Sequence, residues 1–111
     1  MTDLATIAMP RTVRRTHARA IRDMVARRYN LTDAEIEGDC RRLVYIGPRH
    51  IAMYLMMKYT RIGSLRIGKL FNGRDHSTVI HAVRKIEGKV AADPTFAAEV
   101  AELADMIEGA Q

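Results

Sequence analysis

The stretch Asn72–Glu87, NGRDHSTVIHAVRKIE, decides the fold. It opens on a glycine-marked turn and runs into a helix whose first residues are short and polar. Val79, Val83, Ile86 and Val90 recur at the spacing of one buried stripe on a helix of about 3.6 residues per turn. Opposite them stand Ser77, His81, Arg84, Lys85 and Lys89, all donors or cations. An apolar back and a cationic, hydrogen-bonding front is what a helix lying in a DNA groove requires. Charge alone fits an ordinary solvated face equally well.

The residues before this helix tilt the balance toward DNA. SLRIGKLF, residues 64–71, is a short apolar-periodic segment that offers Leu65, Ile67, Leu70 and Phe71 to a core. Ser64 is a suitable N-cap, and Asn72-Gly73 tolerates the positive φ that closes a helix. Asp75 then caps the next helix, with His76 and Ser77 in its first turn. Helix, short glycine-containing turn and helix make the helix-turn-helix pattern, whose second helix reads bases with its N-terminal residues.

GRDHSTVIHAVRKIE resembles the signature of the C-terminal DNA-binding domain of the bacterial replication initiator DnaA. PRHIAMYL, Pro48 to Leu55, resembles that domain's second hallmark at the correct distance. The resemblance runs from about Ile21 to Ile107. It implies an all-α fold, a bundle of about six helices carrying a helix-turn-helix, over residues 16–111. Residues 1–15 fall outside it and are expected as a flexible basic leader, in which Arg11, Arg14 and Arg15 suit either a DNA-touching arm or a solvated tail.

Length and charge agree. A chain of 111 residues forms one domain with a modest core and needs no disulfide or metal. Residues 10–50 hold ten arginines against five acids, and residues 58–89 hold eight bases against two acids. Residues 90–111 hold five acids and no Lys or Arg. The basic body suits a phosphate backbone; the acidic end suits a helix turned away from DNA. Asp93 caps that last helix, Pro94 takes its first position, and Phe96, Val100, Leu103 and Ile107 form its stripe.

Three further segments complete the bundle. The first helix is expected over Thr16–Tyr29, with Ile21, Met24 and Val25 inward. A helical turn over Asp33–Glu37 follows, capped by Thr32 or Asp33. Residues 39–47 then read as a loop, with Gly47-Pro48 opening a long helix from Pro48 to about Tyr59. Its IAMYLMMKY run is apolar nearly all round and marks the central core helix, whose methionines fit gap-filling better than a metal or cofactor site.

By resemblance, Asp75, His76 and Ser77 match the family's base-contacting trio, although threonine is more usual at the last position. Physically, Asp75 suits a cytosine amine, and His76 suits a base edge or a thymine methyl. Asp75 as a pure N-cap remains an alternative or coexisting role. Thr78 and Lys85 match phosphate-contacting positions. Arg49 is expected as a phosphate clamp beside the N-terminus of the long helix, and His50 replaces the usual glutamine there. Arg41 aligns with the arginine that enters the minor groove, with Arg42 beside it on the phosphates. Asp39, Cys40 and Leu43 occupy places that are commonly basic or polar in the family. Gly73 and Arg74 are expected to serve the turn, with a phosphate within reach of Arg74.

Other chemistries find little support. No Gly-x-x-x-x-Gly-Lys-Ser/Thr loop is present, so ATP hydrolysis is not expected. The histidines lack ligand spacing, the single cysteine excludes a zinc module or disulfide framework, and no catalytic triad is readable. The expectation is a non-enzyme without cofactor or metal. Neither a signal peptide nor a membrane span is legible, which places the chain in the cytoplasm on the nucleoid. The implied partner is double-stranded DNA carrying a DnaA-box-like site, short and asymmetric, bound by a monomer. Full-length DnaA or its regulators are further candidate partners. Three outputs remain open: modulation of replication initiation, transcriptional regulation at promoters, and a protein-interaction module with weakened DNA affinity.

Overall fold

The computed structural model describes residues 11–109; side chains are described from residue 18 onward. Among these residues the chain is helical: α1 (Arg11–Arg28), α2 (Asp33–Glu37), α3 (Leu43–Tyr59), α4 (Ser64–Lys69), α5 (His76–Ala92) and α6 (Pro94–Gly109). The expected all-helical bundle with a helix-turn-helix is therefore observed, the latter formed by α4, residues 70–75 and α5. Of the expected leader, residues 1–10 lie outside the described residues, whereas α1 begins at Arg11 rather than Thr16.

Several helix ends are set by chemistry within a few residues of them. Asn30 stops α1 at φ 57°, and the Leu31 N–H reaches back to the Ala26 carbonyl at 2.8 Å, a left-handed C-terminal cap. Thr32 and Glu35 form a reciprocal capping box on α2. Asp93 Oδ1 accepts from the N–H groups of Thr95 and Phe96 at the start of α6. Helix α3 is the hub. Ile51, Ala52, Met53, Tyr54, Leu55 and Met56 are all buried, because α1, α2, α4 and α5 pack around it. Val79, Ala82, Val83 and Ile86 turn the back of α5 into this core, and α6 covers α5 with Phe96, Val100, Leu103 and Ile107.

Three local expectations need correction. The long helix starts at Leu43, five residues before Pro48, so the loop shrinks to the residues between Glu37 and Leu43. Proline inside a helix cannot donate to the carbonyl four residues back, and it crowds the Cβ of its predecessor. Here the predecessor is Gly47, which has no Cβ for the proline ring to crowd. Second, Gly63 rather than Ser64 is the N-cap of α4. Third, Leu65 is 59% exposed and lies outside the core, which Ile67 and Phe71 enter fully.

The helix-turn-helix is closed by an intimate backbone contact. Asn72 and Gly73 both take positive φ, 64° and 73°, which swings the chain back so that the Arg74 N–H donates to the Gly68 carbonyl at 2.9 Å. A Cβ placed on Gly68 would lie far inside van der Waals contact with the Arg74 carbonyl oxygen. Only glycine fits there.

Candidate nucleic-acid interface

The first turn of α5 is built by its cap. Asp75 Oδ2 accepts from the Ser77 N–H at 3.2 Å and from the Ser77 hydroxyl. These bonds, the hydroxyl first, hold the carboxyl below the usual Asp range. Oδ1 is not engaged by the cap and lies 3.8 Å from His76 Nδ1. Asp75, His76, Ser77 and Thr78 are all exposed, while Val79 directly behind them is fully buried. The apolar back and polar front of the sequence are thus real faces, and a hydrogen-bonding turn projects from the bundle.

Lys85 is exposed farther along α5. Half-buried His50, on α3, lies within electrostatic reach of it. Burial first, then the charges of Lys85, Arg49 and Arg74, push the His50 pKa below its ordinary value of 6.5. In the free protein His50 is therefore mostly uncharged at pH 7. Below pH 6.5 the unfolded chain takes up a proton here that the folded chain resists. Stability should therefore fall as the pH drops from 6.5 toward the folded pKa. His50→Gln should flatten that part of a melting-temperature curve against pH; an unchanged slope would assign the effect to other groups.

Arg49 has a different place from the one expected. Its residue is 3% exposed, and the guanidinium donates to three carbonyls: Nε to Ile36 at 2.9 Å, Nη2 to Glu35 at 2.9 Å and Nη1 to Cys40 at 3.1 Å. Two of these are terminal carbonyls of α2, which lack intrahelical partners and carry the negative end of the helix dipole. In this structure Arg49 is a clamp on the protein's own backbone, not an outward phosphate clamp. Arg74 grips the same segment as well. Its Nη2 donates to the Gly38 carbonyl and lies 3.4 Å from Asp39 Oδ1.

The two arginines together tie the connection between α2 and α3 to the start of the recognition helix. That connection carries Arg41 and Arg42, both exposed, so the expected minor-groove and phosphate residues sit on an anchored rim beside the α5 turn. The structure thus exposes Asp75, His76, Ser77 and Thr78 in one turn of α5, sets half-buried His50 near Lys85, leaves Arg41 and Arg42 exposed on the anchored connection and withdraws Arg49 into its support. Sequence reasoning missed the anchoring by Arg74 and the backbone contact at Gly68. An arginine next to a turn and a glycine within a short helix were the only signals for them.

The remaining charges lie elsewhere. Arg22 joins α1 to α2 and α4, pairing with Glu37 at 2.6 Å and donating to the Leu70 carbonyl at 3.0 Å. Acidic α6 packs on the far flank of α5 and meets α1 through Arg28–Glu102 at 3.6 Å and the Tyr29–Glu99 hydrogen bond. Among the described residues no group of three or more His, Cys, Asp or Glu side chains is placed to hold a metal ion. Nor is any described helix long and apolar enough to cross a membrane.

Comparison with known proteins gives the same assignment. The family model described as "Bacterial dnaA protein helix-turn-helix" matches residues 18–86. The chromosomal replication initiator protein DnaA of Rhodopseudomonas palustris (strain BisB5) is 42% identical over 94 residues, which is 85% of this chain and 20% of that protein. The same holds for DnaA of Rhizobium meliloti (strain 1021). DnaA of R. palustris (strain TIE-1) is 45% identical over 83 residues, 75% of this chain and 18% of the relative. The chain thus spans about a fifth of the length of the curated relatives it matches. With the matched residues running from α1 into α5 and taking in the whole helix-turn-helix as far as Ile86, the chain belongs to the bacterial DnaA helix-turn-helix family, the C-terminal DNA-binding domain of the initiator.

Proposed function

We propose that this chain binds DnaA-box-like sites in double-stranded DNA sequence-specifically, as a monomer, and through that occupancy modulates replication initiation. One observation carries the reading: an exposed turn, Asp75–Thr78, capped so that one carboxylate oxygen stays outside the cap, at the start of a helix that also exposes Lys85. Asp75 Oδ1 accepts from a cytosine amine, His76 meets a base edge or thymine methyl, and Ser77 adds a permissive contact in the major groove. Thr78, Lys85, Arg42 and His50 sit on phosphates, which position without specifying. Arg41 enters the adjacent minor groove, where a narrow A·T tract concentrates negative potential. Occupancy of a box by this domain competes with the full initiator, and the reading supposes no catalysis.

Competition binding against boxed and scrambled duplexes tests the assignment. His76→Ala should lose discrimination at one or two base pairs, by about 1–3 kcal/mol there, while melting as wild type, since the side chain is exposed. Asp75→Ala removes an acceptor and the α5 cap together, so box preference and melting temperature should fall in parallel. A His76→Ala protein that melts early yet keeps its box preference would refute this assignment of the reading face.

A further inference from the structure

Large aliphatic side chains stand at the tip of the rim, where nothing in the fold uses them. Residues 39–44 form one continuous exposed run, and the chain turns inward only from Tyr45. Within that run Leu43 is 84% exposed and Val44 63%. They follow Arg41 and Arg42 directly, at the first turn of α3, which has no side-chain cap. A single exposed leucine on a protein surface needs no explanation. Two in-line aliphatic residues abutting two arginines, on a segment anchored to the reading edge, are a different case.

The anchoring is what gives them use. Arg49 holds the Cys40 carbonyl, Arg74 holds that of Gly38, and the Tyr45 hydroxyl donates to Glu35 Oε2 at 3.1 Å. The tip is pinned on both sides and cannot fold back to hide its apolar surface. We propose that Leu43, backed by Val44, is a minor-groove wedge that inserts against a base step next to Arg41 and partly unstacks it. The proposal rests on the DNA-binding reading above and adds a DNA-deforming residue to it. The flanking arginines choose the occupant. A polyanion complements them, and the minor groove accepts both arginine and apolar wedges such as leucine. A protein partner on this tip would have to supply carboxylates for Arg41 and Arg42 as well as a pocket for Leu43.

The test uses the full chain and a box-like duplex carrying 2-aminopurine at successive positions of its A·T-rich part, together with a gel assay of bending. Wild type should brighten the probe at one step and bend the duplex. Leu43→Ala should abolish both signals and weaken binding about tenfold, as expected for losing one buried aliphatic side chain. Leu43→Lys adds a cation without a wedge; it should retain binding to random DNA yet give no brightening. Both variants should melt as wild type, because the replaced side chain touches water rather than core. If wild type binds the box without brightening at any position, or Leu43→Ala brightens and bends as wild type does, the wedge is refuted and box binding stands. If wild type shows no box preference at all, the functional reading itself fails, and the wedge with it.

Discussion

Gly68→Ala should cost about 2–4 kcal/mol of stability, a drop in melting temperature of roughly 10–20 °C for a domain of this size, and abolish specific binding. The methyl group has nowhere to go. The nearest atom is the backbone oxygen of Arg74, which cannot rotate away as a side chain would, with the Arg74 carbonyl carbon and the Val79 side chain behind it. Relief requires parting α4 from the turn, which breaks the Arg74-to-Gly68 backbone hydrogen bond and shifts the start of α5. Binding should therefore fail even at temperatures where the variant is folded. Thermal melts followed by competition binding well below the melting point check both parts. A variant that is folded and retains full box preference would show that the turn does not set the pose of the recognition helix.

Arg49→Ala carries the second large effect. Truncation removes all three donors from the carbonyls of Glu35, Ile36 and Cys40, the Ile36 bond buried and the other two part-buried, and should cost about 2–4 kcal/mol. Arg49→Lys keeps the charge but offers a single point of donation in place of a planar fork. It should recover only part of that loss. Binding to boxed and random duplexes should fall with stability in both variants, because the rim bearing Arg41 and Arg42 loses its hold on the core. Denaturant unfolding beside binding isotherms distinguishes this from direct phosphate contact. If Arg49→Lys unfolds as wild type but binds weakly, Arg49 acts on DNA itself rather than through the loop.

The contrast between these two residues shows how far a sequence reaches. The stripes Val79–Val83–Ile86 and Phe96–Val100–Leu103–Ile107, the caps at Thr32, Asp75 and Asp93, and the Asn72-Gly73 turn were legible because each is local. Its partners lie within a few residues, at helical or turn spacing, so the pattern and its physical cause share one stretch of chain. The same locality made the polar front of Ser77, His81, Arg84, Lys85 and Lys89 legible, whereas the trio Asp75, His76 and Ser77 came from the resemblance of the motif they stand in. The buried cluster of Ile51–Met56 was equally plain, since a helix apolar all round has only an interior to occupy.

What only the tertiary structure decided involves groups far apart in sequence. Gly68 is restricted by a carbonyl six residues on, beyond a turn whose left-handed geometry has to exist before the clash does. Arg74 finds its acceptor 36 residues upstream, and Arg49 reaches back 9 to 14. Those acceptors are backbone carbonyls, which every residue carries and no sequence pattern marks. A surface arginine and a buried arginine therefore read alike until the unpaired carbonyls of a helix end are brought beside one of them. The start of α3 followed the same rule, since Gly47-Pro48 reads locally as a helix opening, and only packing drew Leu43–Ile46 into the helix ahead of it. Local pattern set α5 with its polar front and apolar back; long-range backbone contacts anchored the connection that carries Arg41 and Arg42.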